Sequence, residues 1–199
     1  LDELKLNEKG NQFINQQMET GEVIRRAGSN TFYGSLIDAF VDDGYVLSED
    51  LFVVPYDWRF HIGTSTHQYL DPVIQDAVAH SPTGKINIIA HSMGGLLVKQ
   101  YISEALATDV IDKLVLIGVP ELGSPKAFNM LNYGDDLGMK FFGFGLNQDK
   151  AKDISQNMPA VYELLPSRKY LEVNEVGSYV VDFRKLVDPV SSYLDYDKT

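Results

Sequence analysis

Apolar positions first fall into a helical rhythm at Tyr33, Leu36, Ile37, Phe40 and Val41, and Gly44 closes that segment. The short apolar run from Leu51 to Pro55 lies between acidic residues and a proline and predicts a buried strand. Leu70, Val73, Ile74, Ala77 and Val78 predict a second amphipathic helix, and Ser81-Pro82-Thr83-Gly84 a turn. Ile86 to Ala90 predicts the next buried strand, with Ile86, Ile88 and Ile89 suited to a pleated surface. It runs directly into His91-Ser92-Met93-Gly94-Gly95. Beyond that, Leu97, Val98, Tyr101, Ile102 and Ala105 mark the apolar side of a helix, and Leu114 to Val119 predicts a third strand. Strands alternating with helices imply right-handed crossovers and a parallel sheet, an α/β fold.

The two ends are less regular. Residues 1–30 are polar and weakly patterned. After Pro120 the pattern loosens again, and the stretch to about Pro166 mixes Gly, Asn and Asp with Phe141, Phe142 and Phe144. That stretch is too long for a plain connection in a compact domain, so it predicts a lid or cap insertion. Near the C-terminus, Tyr179, Val180, Val181 and Phe183 predict a short strand. The expected organisation is one partial domain over 1–199: a core at 31–120, a lid or cap at 121–170, and a return segment at 171–199.

Composition narrows the chemistry. The 199 residues carry a formal net charge of −11, which argues against nucleic acid and against electrostatic docking on anionic lipid. Transient apolar contact with a lipid surface stays compatible with it. With no cysteine, thiolate metal sites, disulfides and a cysteine nucleophile are excluded. No metal-ligand cluster, phosphate loop or dinucleotide fingerprint appears, and no cofactor is expected; Gly143-x-Gly145 lacks the flanking strand and helix. No apolar run approaches the ~20 residues of a membrane span, and the chain reads as soluble. It opens at Leu1-Asp2-Glu3-Leu4 without Met, as a processed or excised segment would.

The strongest signal is Ala90-His91-Ser92-Met93-Gly94, a nucleophile elbow of the G-x-S-x-G kind with Ala in the first small position. A serine on a strained strand-to-helix turn crowds its neighbours, and small residues two before and two after relieve that crowding. Gly95 adds a further tolerant position. The helix that follows aims its positive end at Ser92, and the Met93 backbone N–H is the candidate oxyanion donor. His91 is rejected as the base, because adjacent strand residues point to opposite faces; it is expected to pack at the strand end. His61, His67 and His80 all precede the serine and read as ordinary side chains.

Together these residues resemble the lecithin:cholesterol acyltransferase-like serine lipases and acyltransferases of the α/β-hydrolase type. The resemblance rests on Pro55-Tyr56-Asp57-Trp58-Arg59 after the first apolar run, and on Phe32-Tyr33-Gly34-Ser35-Leu36-Ile37 leading to Asp43-Gly44-Tyr45. It continues through the elbow, Gly118-Val119-Pro120, Gly123-Ser124, and Met158-Pro159 on to Leu164-Leu165-Pro166-Ser167. It covers roughly residues 30 to 185 in family order. It implies an enzyme that takes an acyl group from a lipid-like ester onto Ser92 and passes it to water or an alcohol, under a lid at 121–166. Asp57 and Arg59 are expected to bridge loops rather than react.

Departures from the family pattern shape the remaining expectations. No apolar strand and no His-Gly or Pro-Gly loop precedes Phe32 to give the second oxyanion donor, and no histidine follows Ser92. α/β-Hydrolases order their triad Ser, then Asp or Glu, then His. The chain is therefore expected to be an internal segment of a larger protein, whose compartment stays open, secreted or cell-surface being among the options. The triad Asp and His would lie outside it, a sheet strand between its first two would be missing, and it would be inactive alone. Two alternatives stay open on the same fold: a thioesterase or amide hydrolase, and a non-catalytic binding domain.

Overall fold

A computed structural model describes residues 4–14, 21–27, 30–104, 108–134 and 148–174. The chain divides into two compact units. One comprises Glu19–Trp58 and Ile62–Val119; the other comprises Leu1–Met18, Arg59–His61 and Pro120–Thr199.

The first unit opens with a two-residue antiparallel ladder between β1 (Arg26–Ala27) and β2 (Asn30–Thr31), in a stretch the sequence reads as irregular. Helix α1 (Gly34–Asp42) follows. Its entry is pinned, since the Arg25 carbonyl accepts from both Phe32 N (2.9 Å) and Gly34 N (3.2 Å). A Cβ on Gly34 would come within 2.9 Å of that same carbonyl oxygen, so only glycine fits there. The apolar stripe expected on this helix is only partly covered. Ile37 is buried, whereas Leu36 and Val41 are 45% and 43% exposed. A helix buries only the face that has something to pack against.

The apolar run Leu51 to Pro55 does not form the strand its composition predicts. Among the described residues it carries a single bridge, Leu47 to Leu51. Hydrophobicity specifies burial, but a strand needs a neighbouring ladder to pair with. The residues are half-buried instead, and Val54 and Tyr56 pack against the core.

Next come α2 (Ile62–Ser65), a π-turn over Thr66–Leu70 and α3 (Asp71–His80), with Pro72 tolerated in the first turn because no intrahelical N–H is needed there. Thr66 stabilises the π-turn from within: its buried hydroxyl reaches the carbonyls of Ile62 (2.9 Å) and Leu97 (3.2 Å). Strand β3 (Ile86–His91) then pairs in parallel with β4 (Ile111–Ile117), and α4 (Gly94–Ser103) makes the crossover between them. Leu97, Val98 and Tyr101 on α4 are almost fully buried with Ile62, Leu70, Ile74 and Ala90. Each such side chain contributes about 1.5–3 kcal/mol of apolar burial. The architecture is thus α/β with a two-stranded parallel sheet. One sheet face, bearing Ile88, Ala90, Leu114 and Leu116, meets the core; on the other, Ile89, Val115 and Ile117 are exposed.

The second unit carries an antiparallel bridge between Leu6 and Phe13, and its described part from Pro120 on is helical. It contains α5 (Pro125–Tyr133), α6 (Gln148–Ser155), α7 (Pro159–Glu163) and α8 (Arg168–Val173). Ser124 caps α5, its hydroxyl accepting from Lys126 N, and Gly134 ends it in the left-handed region. The loop before α5 and the segment after α7 bond reciprocally. Ser124 N donates to Leu164 O (2.7 Å), and Ser167 donates to Leu122 O through both its N–H (2.9 Å) and its hydroxyl (3.0 Å). Where it is described, the stretch from Pro120 to Pro166, in which the sequence pattern loosens, holds the short helices α5, α6 and α7. Phe141, Phe142, Phe144 and the strand expected at 179–183 lie outside the described residues.

Candidate active site

Ser92 stands where β3 ends and α4 begins. Its N–H donates to Ile117 O (2.9 Å), continuing the ladder by one bond. Its φ is +53°, one of two positive values at non-glycine positions among the described residues, the other being Ser48. A non-glycine residue in the left-handed region carries strain of order 1 kcal/mol and persists only where its surroundings hold it. The restraints are local. Gly95 N donates back to Ser92 O (3.0 Å), Met93 forms the N-cap with its side chain buried, and Leu96 N closes the first turn on Met93 O (2.9 Å). The serine side is exposed, at the positive end of a ten-residue helix.

The small residues around the turn have separate reasons. Ala90 is buried against the core. A Cβ on Gly94 would meet Tyr56 at 3.8 Å, an ordinary contact, so Gly94 is not forced by space among the described residues. The tight position is Gly95, where a Cβ would lie 2.2 Å from Val119 Cγ2. The sequence reading placed the crowding at Ala90 and Gly94 and gave Gly95 a secondary part; of the two glycines, Gly95 is the tight one.

His91 is exposed rather than packed at the strand end. Its Nδ1 lies 2.8 Å from the Tyr33 hydroxyl, and the two rings meet edge to face at 5.7 Å. Tyr33 was expected on the apolar side of a helix; it is the N-cap residue of α1, and its phenol reaches the residue before Ser92. Partial burial raises the Tyr33 pKa, and burial raises that of Tyr56 much further, with Tyr33 adding to it. Both phenols are therefore neutral around this turn.

Two residues of the motif at 55–59 make contacts to backbone or ring groups. Asp57 is buried, and its backbone carbonyl accepts from the Ser65 hydroxyl (2.9 Å). Arg59, buried in the second unit, donates to Leu4 O (2.9 Å) and lies 4.9 Å over the Phe13 ring. Pro55 and Trp58 are half-buried.

The remaining histidines each face a carboxylate. His67 Nε2 is 3.0 Å from Glu104, and His80 Nδ1 is 3.3 Å from Asp76. His61 Nδ1 lies 3.4 Å from Glu163 within the second unit, and this hydrogen bond and charge raise its pKa against the opposing effect of burial. Among the described residues no group of three or more His, Asp or Glu is placed to hold a metal. No described helix is long and apolar enough to cross a membrane.

A family model described as Lecithin:cholesterol acyltransferase matches residues 19–182. Among curated proteins, the phosphatidylcholine-sterol acyltransferase of Homo sapiens is 31% identical over 111 residues, 53% of this chain and 25% of that protein. The lysosomal phospholipase A and acyltransferase of Homo sapiens is 21% identical over 174 residues, 83% of this chain and 42% of that protein. Its Canis lupus familiaris counterpart is 24% identical over 117 residues, 56% of this chain and 28% of that protein. The chain thus spans about a quarter to two-fifths of the length of these relatives. No solved structure gives a significant match.

Proposed function

The chain belongs to the lecithin:cholesterol acyltransferase family, and on that premise we propose that it carries the nucleophile half of a serine-dependent acyl-ester hydrolase or O-acyltransferase acting on lipid-like esters. Its fold is then part of an α/β-hydrolase, with 121–170 as the lid or cap. The observation that carries the reading is the left-handed backbone of Ser92 between a parallel strand and the crossover helix.

The chemistry follows from that position. Ser92 Oγ attacks the ester carbonyl, a base takes the hydroxyl proton, and the carbonyl oxygen becomes an oxyanion. The Met93 N–H and the N-terminal end of α4 stabilise that charge. Collapse of the tetrahedral adduct breaks the ester bond, and the leaving alcohol takes up the proton. Water or an acceptor alcohol then attacks the acyl-serine, which returns Ser92 to its free form. The base is assigned elsewhere, because all four histidines stand at or before position 91, ahead of Ser92 in the chain. We assign the triad Asp and His to residues outside these 199.

The test is turnover of a chromogenic acyl ester by residues 1–199, by the full-length protein, and by the full-length protein carrying Ser92→Ala. The full-length protein is expected to be active. Ser92→Ala is expected to lose about four or more powers of ten without unfolding, and the 1–199 chain to show no appreciable turnover. Undiminished activity in Ser92→Ala removes the nucleophile assignment. Full activity of the isolated chain puts the base within it and ends the argument from residue order.

A further inference from the structure

Ser92 is strained and must be held, and the chain spends an unusual contact on the residue beside it. Tyr33 and His91 are 58 positions apart, yet they meet twice, by a 2.8 Å hydroxyl-to-Nδ1 contact and by an edge-to-face ring contact. Tyr33 is itself fixed by its backbone. The N–H groups of Phe32 and Gly34 on either side of it both donate to the Arg25 carbonyl, its own N–H points to Ile24 O (3.4 Å), and Gly34 leaves no room for a side chain against that carbonyl. These bonds fix the Tyr33 backbone at the helix start, and its partly exposed ring meets that of His91.

Resting on the reading of Ser92 as nucleophile, we propose that Tyr33 is a positioning residue for it: the phenol engages His91 Nδ1 and so holds the residue that leads the strand into the elbow. The other restraints on Ser92 are backbone bonds made on β4 and the first turn of α4. The Tyr33–His91 contact adds one through a side chain. In this reading the phenol donates to Nδ1, and His91 carries its proton on Nε2. His91 is thereby committed to orientation and withdrawn from service as the serine's base. Tyr33 touches no reacting atom in this scheme and acts only through His91.

The experiment compares the full-length protein with Tyr33→Phe, His91→Ala and the double variant. The readout is the rate of covalent labelling of Ser92 by a fluorophosphonate, together with kcat and KM on a chromogenic ester. Tyr33→Phe keeps the ring contact and removes only the hydroxyl. It is expected to slow labelling and kcat by about tenfold, the scale of one hydrogen bond, with KM and thermal midpoint unchanged. In the His91→Ala background the same substitution is expected to have no further effect. Equal labelling rates in wild type and Tyr33→Phe overturn the inference, and so does a Tyr33→Phe effect that persists without His91. A second measurement does not need activity. Imidazole nitrogen spectra of His91 are expected to show an unprotonated Nδ1 and a protonated Nε2 in the wild type, and a tautomer mixture in Tyr33→Phe. Identical spectra overturn the inference even for an inactive protein. Failure of the wild type to label at Ser92 while the spectra differ removes the nucleophile reading, and this inference with it.

Discussion

Gly95 faces Val119 so closely that a methyl group on its Cα would lie 2.2 Å from Val119 Cγ2 and 2.8 Å from Cγ1. The start of α4 is therefore seated on the chain leaving β4 with no space for any side chain. Gly95→Ala is expected to destabilise the protein by about 1–3 kcal/mol, as overpacking of a tight site does. Val119→Ala in the same chain removes the clashing methyls and is expected to recover most of the loss. Urea unfolding midpoints of the two single variants and the double variant decide it: additive losses contradict the contact.

Ser92 gives a second stability prediction, opposite in sign to its effect on activity. Its φ of +53° is strained for serine and free for glycine. The glycine's larger unfolded-state entropy offsets part of the relief. Ser92→Gly is expected to be at least as stable as Ser92→Ala and up to about 1 kcal/mol more so, with both inactive. Chemical denaturation of the two variants checks it, and a clearly less stable glycine variant would mean that the turn is unstrained.

Gly123 has φ +88°, and a Cβ there would sit 2.2 Å from the Leu165 carbonyl oxygen. Backbone and backbone cannot both yield, so Gly123→Ala is expected to cost about 3 kcal/mol or more in the second unit. Protease cleavage after α5 reports the loss. An alanine variant as resistant as the wild type would refute the close approach.

The His61–Glu163 pair predicts a pH dependence. The pair raises the folded pKa of His61 above its ordinary value of 6.5. Its stabilisation is then fully present below the unfolded pKa and is lost as pH rises through the folded one. Both side chains are partly exposed, at 36% and 26%, so the swing is expected to stay below about 1 kcal/mol. Unfolding midpoints measured from pH 5 to 8 should fall across that window in the wild type and lose this fall in Glu163→Gln. A variant that keeps the full slope would assign it to other groups.

What could be read from the sequence divides along the range of the forces involved. The helices at 34–42, 71–80 and 94–103, the strands at 86–91 and 111–117 and the turn at Ser92 depend on local periodicity and on glycine placement, and both are written in consecutive residues. The Leu51 to Pro55 run misled because an apolar stretch reports burial, while a strand is defined by its partner. Gly95 and Tyr33 were undervalued because each is explained by a residue far along the chain, Val119 and His91. One clue to Tyr33 was present. Phe32-Tyr33-Gly34 belongs to the segment that resembles the family, and a glycine directly after an aromatic at a helix start signals a close backbone approach. The ladder at 26–31 left no such trace, since two-residue strands are too short to show alternation.

The reciprocal bonds between Leu122–Ser124 and Leu164–Ser167 bring together the two ends of the chain that runs between them. Its described residues are tied to the rest of their unit as well, by Lys5 to Asp153, Ala160 N to Arg59 O and His61 to Glu163, so an exchange with a relative must keep those partners matched. Chimeras should therefore be cut at those junctions, with Gly123 and Ser167 kept. A change of activity that travels with the exchanged stretch would then be separable from anything that happens at Ser92.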